Sequence, residues 1–203
     1  MEIITDYDFN KLIQLLPDKL PYNRQRPNVS GVDLEVCKRR NINLKGHRLG
    51  ENGEILRTDK GKIKFSPHFG NKCESITLGW TRQMFRKKEV PFTLSLANKK
   101  HPELYEELKR AIKVIDPEFE SDSITVNHNL KCKKHKDGRN VGDSIIVGLG
   151  DYKGGELQVD DKIYDINRKP LKFNGSKLFH ETLDFEGDRW SFIWFKKMSI
   201  KNN

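Results

Sequence analysis

From Ser123 onward, apolar and polar residues alternate in short runs broken by turn residues, and this texture restricts the chain to a small antiparallel β architecture. The runs at residues 124–132, 144–149, 156–159, 171–173, 177–180 and 189–195 read as strands. Between them stand Asp137-Gly138, Lys153-Gly154-Gly155, Asn174-Gly175 and Glu186-Gly187-Asp188, each a turn signal. Strands this short and this closely spaced predict a sandwich or jelly roll. Two earlier runs carry a helical period. Residues 6–16 place Phe9, Leu12, Ile13 and Leu16 on one stripe, with Thr5 as cap and Pro17 as stop. Residues 102–115 do the same with Leu104, Leu108, Ala111, Ile112 and Ile115, opened by Pro102 and closed by Asp116-Pro117. These helices are expected to buttress one sheet. The chain is thus expected to be α+β, with residues 1–120 as a helical and irregular support and residues 121–203 as the β core, together one compact domain. Residues 17–62 show little periodicity, and their basic cluster Lys38-Arg39-Arg40 reads as a solvated loop.

Apolar residues make up 35% of the 203, enough for one core, and no apolar run approaches the roughly 18 residues a membrane helix needs. The first residues lack the basic and apolar regions of a signal peptide, and Cys37, Cys73 and Cys132 are odd in number and far apart. The expectation is an intracellular protein, cytoplasmic or nuclear, not secreted, with reduced thiols. The net charge of +9 is spread along the chain. It suits a polyanionic partner such as nucleic acid, and equally a chain that is simply rich in lysine.

His135-Lys136-Asp137 ends the first alternating run, and His180 ends a later one. Two imidazoles and one carboxylate, placed on three positions of a ferrous ion, leave the others open for a bidentate keto acid and dioxygen. Strand alternation puts Arg189 and Ser191 on one face and Trp190, Phe192 and Trp194 on the other. A guanidinium with a hydroxyl beside it matches the far carboxylate of a dicarboxylic cosubstrate; the competing assignment pairs Arg189 with Asp184 or Asp188 at the surface. Asn127, on the strand ahead of the H-x-D pair, is placed to bond a keto acid, with Asn129 as its rival. A tetrahedral zinc site is the main alternative, using Cys132, His135, His128 and Cys73, but it leaves Asp137, His180 and Arg189 unexplained. The glycines between residues 148 and 155 do not form a phosphate loop, since neither the G-x-x-x-x-G-K-S/T pattern nor a following helix is present.

With His135-x-Asp137, His180, Arg189-x-Ser191 and the intervening Gly154-Gly155-Glu156-Leu157, residues 123–196 resemble the 2-oxoglutarate/Fe(II)-dependent dioxygenase superfamily. The resemblance implies a double-stranded β-helix, Fe(II) on His135, Asp137 and His180, and 2-oxoglutarate held by Arg189 and Ser191, with O2 as oxidant. The run from Asn127 through Asn140 to Gly155 is similar to TET/JBP-like nucleobase oxygenases, which implies hydroxylation of a nucleobase methyl group in nucleic acid. The superfamily's frequent N-x-Y motif reads Asn127-His128-Asn129, so its tyrosine is missing. A protein side-chain (prolyl or lysyl) hydroxylase remains the alternative. Basic charge favours nucleic acid, as do Trp80 and the run Arg86-Lys87-Lys88, although Trp80 reads equally as core.

Overall fold

A computed structural model of the chain describes residues 1–21, 38, 41–43, 47–64, 74–81 and 93–197. The elements are α1 (Asn10–Ile13), β1 (Glu74–Thr81), β2 (Thr93–Leu94), α2 (Leu96–Lys100), α3 (Pro102–Ile115), β3 (Ser123–His128), β4 (Asn140–Gly154), β5 (Leu157–Val159), β6 (Lys162–Tyr164), β7 (Leu171–Phe173), β8 (His180–Thr182) and β9 (Phe185–Lys197). They form a six-stranded sheet ordered β2-β1-β3-β9-β4-β7 and a three-stranded sheet ordered β6-β5-β8. Strand pairing is antiparallel in both. The basic residues 39, 40 and 86–88 and the cysteines at 37 and 73 lie outside the described residues.

Alternation along β9 divides the interior in two. Trp190, Phe192 and Trp194 pack with Val126, Val147 and Leu149 on one face of the large sheet, against Leu104, Leu108 and Ala111 of α3. Trp194 Nε1 donates to the Leu108 carbonyl at 3.0 Å, so this buried indole loses no hydrogen bond. Truncating one of these aromatics would cost about 3–5 kcal/mol. On the opposite face, Ile146, Leu171 and Phe173 meet Leu157 and Val159 of the small sheet. The small sheet therefore roofs the inner face of the large one.

Several elements depart from the sequence expectation. The helix expected over residues 6–16 shortens to α1, because Thr5 Oγ1 accepts from the Tyr7 amide and Asp8 Oδ1 from the Asn10 amide, closing local turns instead of capping a long helix. The expected break at Glu186-Gly187-Asp188 lies inside β9, and β4 runs unbroken to Gly154. A Cβ at Gly187 would lie 2.3 Å from the Asp151 carbonyl and one at Gly150 2.1 Å from the Asp188 carbonyl, so these glycines permit close strand approach and do not mark a turn. β3 stops at His128, since Asn129 takes a left-handed conformation at φ 49°. β8 begins at His180, where a strand end was expected. The irregular region also supplies β1, which pairs with β3 from Glu74↔His128 to Gly79↔Ser123.

His128 ties β1, β3 and β9 together. Its Nδ1 lies 2.8 Å from Glu74 Oε2, its Nε2 lies 2.5 Å from Asp188 Oδ1, and its ring stacks on Trp190 at 4.1 Å. Burial opposes its charge, but the two carboxylates prevail and raise its pKa above the ordinary imidazole value. Because the folded pKa exceeds the unfolded one of about 6.5, the stabilisation is complete below that pH and is lost as pH climbs through the folded value. We expect His128→Gln to be less stable than wild type by about 1–2 kcal/mol at pH 6, with the gap narrowing toward pH 9. Urea midpoints across that range measure it, and a gap that widened with pH would contradict the assignment.

Candidate metal centre

His135, Asp137 and His180 bring one potential ligand atom each to within 4.8 Å of one another, the sole such group of three or more among the described residues. The backbone sets this geometry. His135 and His180 exchange main-chain hydrogen bonds of 3.0 Å in both directions, which locks the loop after β3 to the start of β8. The Asp137 amide donates to the Gly175 carbonyl at 2.8 Å, anchoring the second ligand position to the turn before β8. The ring nitrogens are sorted as well. His135 Nδ1 lies 2.6 Å from the Lys133 carbonyl and His180 Nδ1 lies 3.2 Å from the Leu178 carbonyl. An Nδ1–H donated to a carbonyl places the free lone pair on Nε2. Both Nε2 atoms face the same carboxylate, each 3.7 Å from an Asp137 oxygen. Two imidazole nitrogens and one carboxylate, held by their outer hydrogen bonds, form a donor set that fits a ferrous ion.

This group stands at one side of a cleft of about 570 Å³, open mouth included, between the two sheets. The large sheet lines the cleft with Thr125, Asn127, Ser191 and Ile193, and the small sheet with Leu157 and Thr182. Asn127 is 3% exposed, and its Nδ2 donates to Ser191 Oγ at 3.2 Å. Rotating that amide would keep the Ser191 contact and turn its NH2 into the cleft, since a hydroxyl serves as donor or acceptor. Asn129, the rival, is committed elsewhere: its Oδ1 accepts from the Arg189 amide at 2.8 Å.

Arg189 does not line the cleft. It is the next inward-facing residue of β9 after Ser191, 1% exposed, with its guanidinium 5.4 Å from the ring centres of Tyr152 and Phe185. Nε and Nη2 donate to the Gly155 carbonyl at 3.2 and 3.0 Å. The surface pairing fails, because Asp184 binds Lys131 while Asp188 binds His128 and the Trp190 indole. No carboxylate of a described residue forms an ion pair with Arg189, and burial pulls its pKa below the usual guanidinium value. A cation this deep is costly unless an anion joins it.

The zinc alternative does not assemble. His128 is held by Glu74 and Asp188, and Cys132 lines the cleft without joining the group of possible metal ligands. Trp80 is 46% exposed, at the end of β1, and is not part of the cleft wall. Sequence reasoning gave no site role to Asn140, whose Nδ2 donates to Asp137 Oδ2 at 3.4 Å, or to Thr182, which the β8 shift turns inward. It also gave no role to Phe179, a ring 46% exposed immediately before His180, with Lys136 Nζ 4.3 Å and Lys134 Nζ 5.8 Å from its centre. The interleaving of aromatic and lysine residues near the ligands was the available signal.

No family model and no curated protein matches the chain. Among solved structures it is similar to NgTET1 in complex with 5mC DNA, at 14% identity over 64% of this chain and 62% of that one, with a TM-score of 0.48. It is also similar to an oxidoreductase of the 2OG-Fe(II) oxygenase family from Burkholderia pseudomallei, at 16% identity over 61% and 65% of the two chains and a TM-score of 0.41. A Pseudomonas putida prolyl-4-hydroxylase is similar at 15% identity over 63% and 73%, with a TM-score of 0.35. The chain thus spans less than two thirds of the length of the first two structures. The Burkholderia structure carries in its name the class that the motif residues resemble, the 2OG-Fe(II) oxygenases. At such identities the chemistry must be read from the side chains themselves.

Proposed function

We propose that the chain is an Fe(II)- and 2-oxoglutarate-dependent dioxygenase on a double-stranded β-helix, with His135, Asp137 and His180 as metal ligands. The observation that carries this is the convergence of the three ligand atoms within 4.8 Å beside a cleft lined by Ser191, whose inward neighbour on β9 is the buried Arg189, paired with no carboxylate among the described residues. When bound, ferrous iron and the keto acid supply the oxidising chemistry: O2 and 2-oxoglutarate become succinate and CO2 while one substrate C–H becomes C–OH. The carbonyls of Lys133 and Leu178, accepting from Nδ1–H, leave Nε2 of each histidine as the ligand atom and aim it. Asn127 and Ser191 line the cleft beside the ligands, and Leu157, Ile193 and Ile146 limit water in it. Purified protein given Fe(II), 2-oxoglutarate and O2 should release succinate, slowly even without substrate. No succinate above the metal-free control would overturn the reading.

For the substrate, the same proposal extends to a nucleobase methyl group in nucleic acid. Its support is the rim beside His180, where the exposed Phe179 ring is flanked by Lys134 and Lys136 on a chain of net charge +9. An extruded base needs an aromatic to stack on, and its flanking phosphates need cations. Affinity for a single-stranded DNA oligonucleotide should fall steeply with salt. Lys134→Ala and Lys136→Ala should each reduce the log–log slope by about 0.7, and Phe179→Ala should cost about 1–3 kcal/mol of binding. Mass spectrometry of DNA and peptide pools separates the substrates: hydroxylated peptide with unmodified DNA would move the activity to protein side chains.

A further inference from the structure

Tyr152 lies where the cosubstrate's far end is expected, on β4, which carries none of the candidate ligands. The inward-facing positions of β4 sit opposite those of β9 in register: Ile146 faces Ile193, Gly148 faces Ser191 and Gly150 faces Arg189. Tyr152 is the next inward position, and its ring reaches back to Gly148. A Cβ at position 148 would stand 2.3 Å from Tyr152 Oη, so the hydroxyl fills the space that a side chain there would take, beside Ser191. Any larger residue at 148 would expel it. The ring centre is 5.4 Å from the Arg189 guanidinium carbon.

The hydroxyl makes no hydrogen bond of ordinary geometry among the described residues, although the Arg189 guanidinium is near enough to interact with it, and its own proton has no acceptor; the residue is 9% exposed. A buried hydroxyl left unpaired costs about 1–3 kcal/mol, so its position calls for a partner. The group beside it is a buried guanidinium that lacks a carboxylate. Neither residue lines the cleft itself, but beside cleft-lining Ser191 a phenol whose proton has no acceptor and a guanidinium without a counterion among the described residues suit an anion. Burial raises the Tyr152 pKa, with Arg189 opposing it in part, so at neutral pH the phenol keeps its proton and donates. Position 129 holds asparagine where the resemblance expects tyrosine, and that asparagine is committed to the Arg189 backbone amide.

We propose that Tyr152 Oη donates a hydrogen bond to the distal carboxylate of 2-oxoglutarate beside Arg189 and Ser191, so that β4 supplies the phenol that β3 lacks. This rests on the oxygenase reading above. Gly148 is then a functional position, because its missing side chain lets the phenol in from four residues away.

The test is calorimetric titration of Mn(II)-loaded protein without O2, using 2-oxoglutarate and 2-oxopentanoate, a keto acid of equal length without the distal carboxylate. Tyr152→Phe removes one oxygen and keeps the ring, so folding is not at stake. It should weaken 2-oxoglutarate binding about tenfold or more and leave 2-oxopentanoate binding unchanged. A variant that kept the wild-type preference for 2-oxoglutarate would overturn the role of Tyr152 and leave the oxygenase reading standing. Parallel losses for both keto acids would also overturn it, since Tyr152 would then only shape the pocket. A wild-type protein indifferent to the distal carboxylate would overturn both.

Discussion

Asp137→Ala is expected to abolish 2-oxoglutarate turnover, by well over 100-fold, while the protein stays folded. Asp137 is the one carboxylate of the three-residue group, so its loss leaves two imidazoles without the negative ligand that makes the set selective for a hard divalent ion. A single partner lost from around a metal site costs about 10–100-fold, and a direct ligand costs more. The fold should tolerate the change because the side chain is about a third exposed and the anchoring bond of residue 137 is a backbone one, from its amide to the Gly175 carbonyl. Succinate release and Mn(II) affinity should fall together, and the thermal midpoint without metal should hold. A variant that still made succinate at the wild-type rate would end the metal assignment. One that lost the fold along with the activity would be replaced by Asp137→Asn, which keeps the shape and removes the charge.

The site was more legible in the sequence than the sheets that carry it. His135-x-Asp137 and Arg189-x-Ser191 are short-range patterns, and alternation alone puts Arg189 and Ser191 opposite Trp190, Phe192 and Trp194, as the structure has them. Strand limits are a different matter. Gly187 looked like a turn residue because local sequence cannot tell a glycine that lets the chain reverse from one that lets two strands touch; only the facing carbonyl of Asp151 decides it. β1 went unseen for a related reason. Glu74–Thr81 is set by its pairing with β3, and a strand whose partner lies far along the chain leaves little periodicity to find. Tyr152 combined both difficulties: its hydroxyl acts over Gly148, so neither its number nor its neighbours in sequence point to the wall it joins.

Arg189→Ala is expected to raise the 2-oxoglutarate requirement by about 100-fold or more, and the loss should be confined to keto acids with a distal carboxylate. The guanidinium is 1% exposed, and Nε and Nη2 both go to the Gly155 carbonyl, which leaves its charge without a protein counterion among the described residues. A carboxylate arriving there gains a charge-assisted fork in a dry setting; without the arginine, that carboxylate would be buried unpaired. The same reasoning predicts linkage in the wild type. Near 100 times its dissociation constant, 2-oxoglutarate should stabilise the metal-loaded protein by about 2.7 kcal/mol, while 2-oxopentanoate at equal concentration should do far less. Alanine also removes the stem packed between Tyr152 and Phe185, so a drop in ligand-free stability is expected and does not itself speak to the role. Arg189→Lys separates the two effects. It keeps a cation and most of the stem but loses the planar fork, so it should restore the fold and recover only part of the 2-oxoglutarate affinity. Full recovery with lysine would show that a point charge suffices. An alanine variant with unchanged preference for the dicarboxylic keto acid would remove Arg189 from the cosubstrate altogether, leaving its burial among the rings of Tyr152 and Phe185 as packing alone.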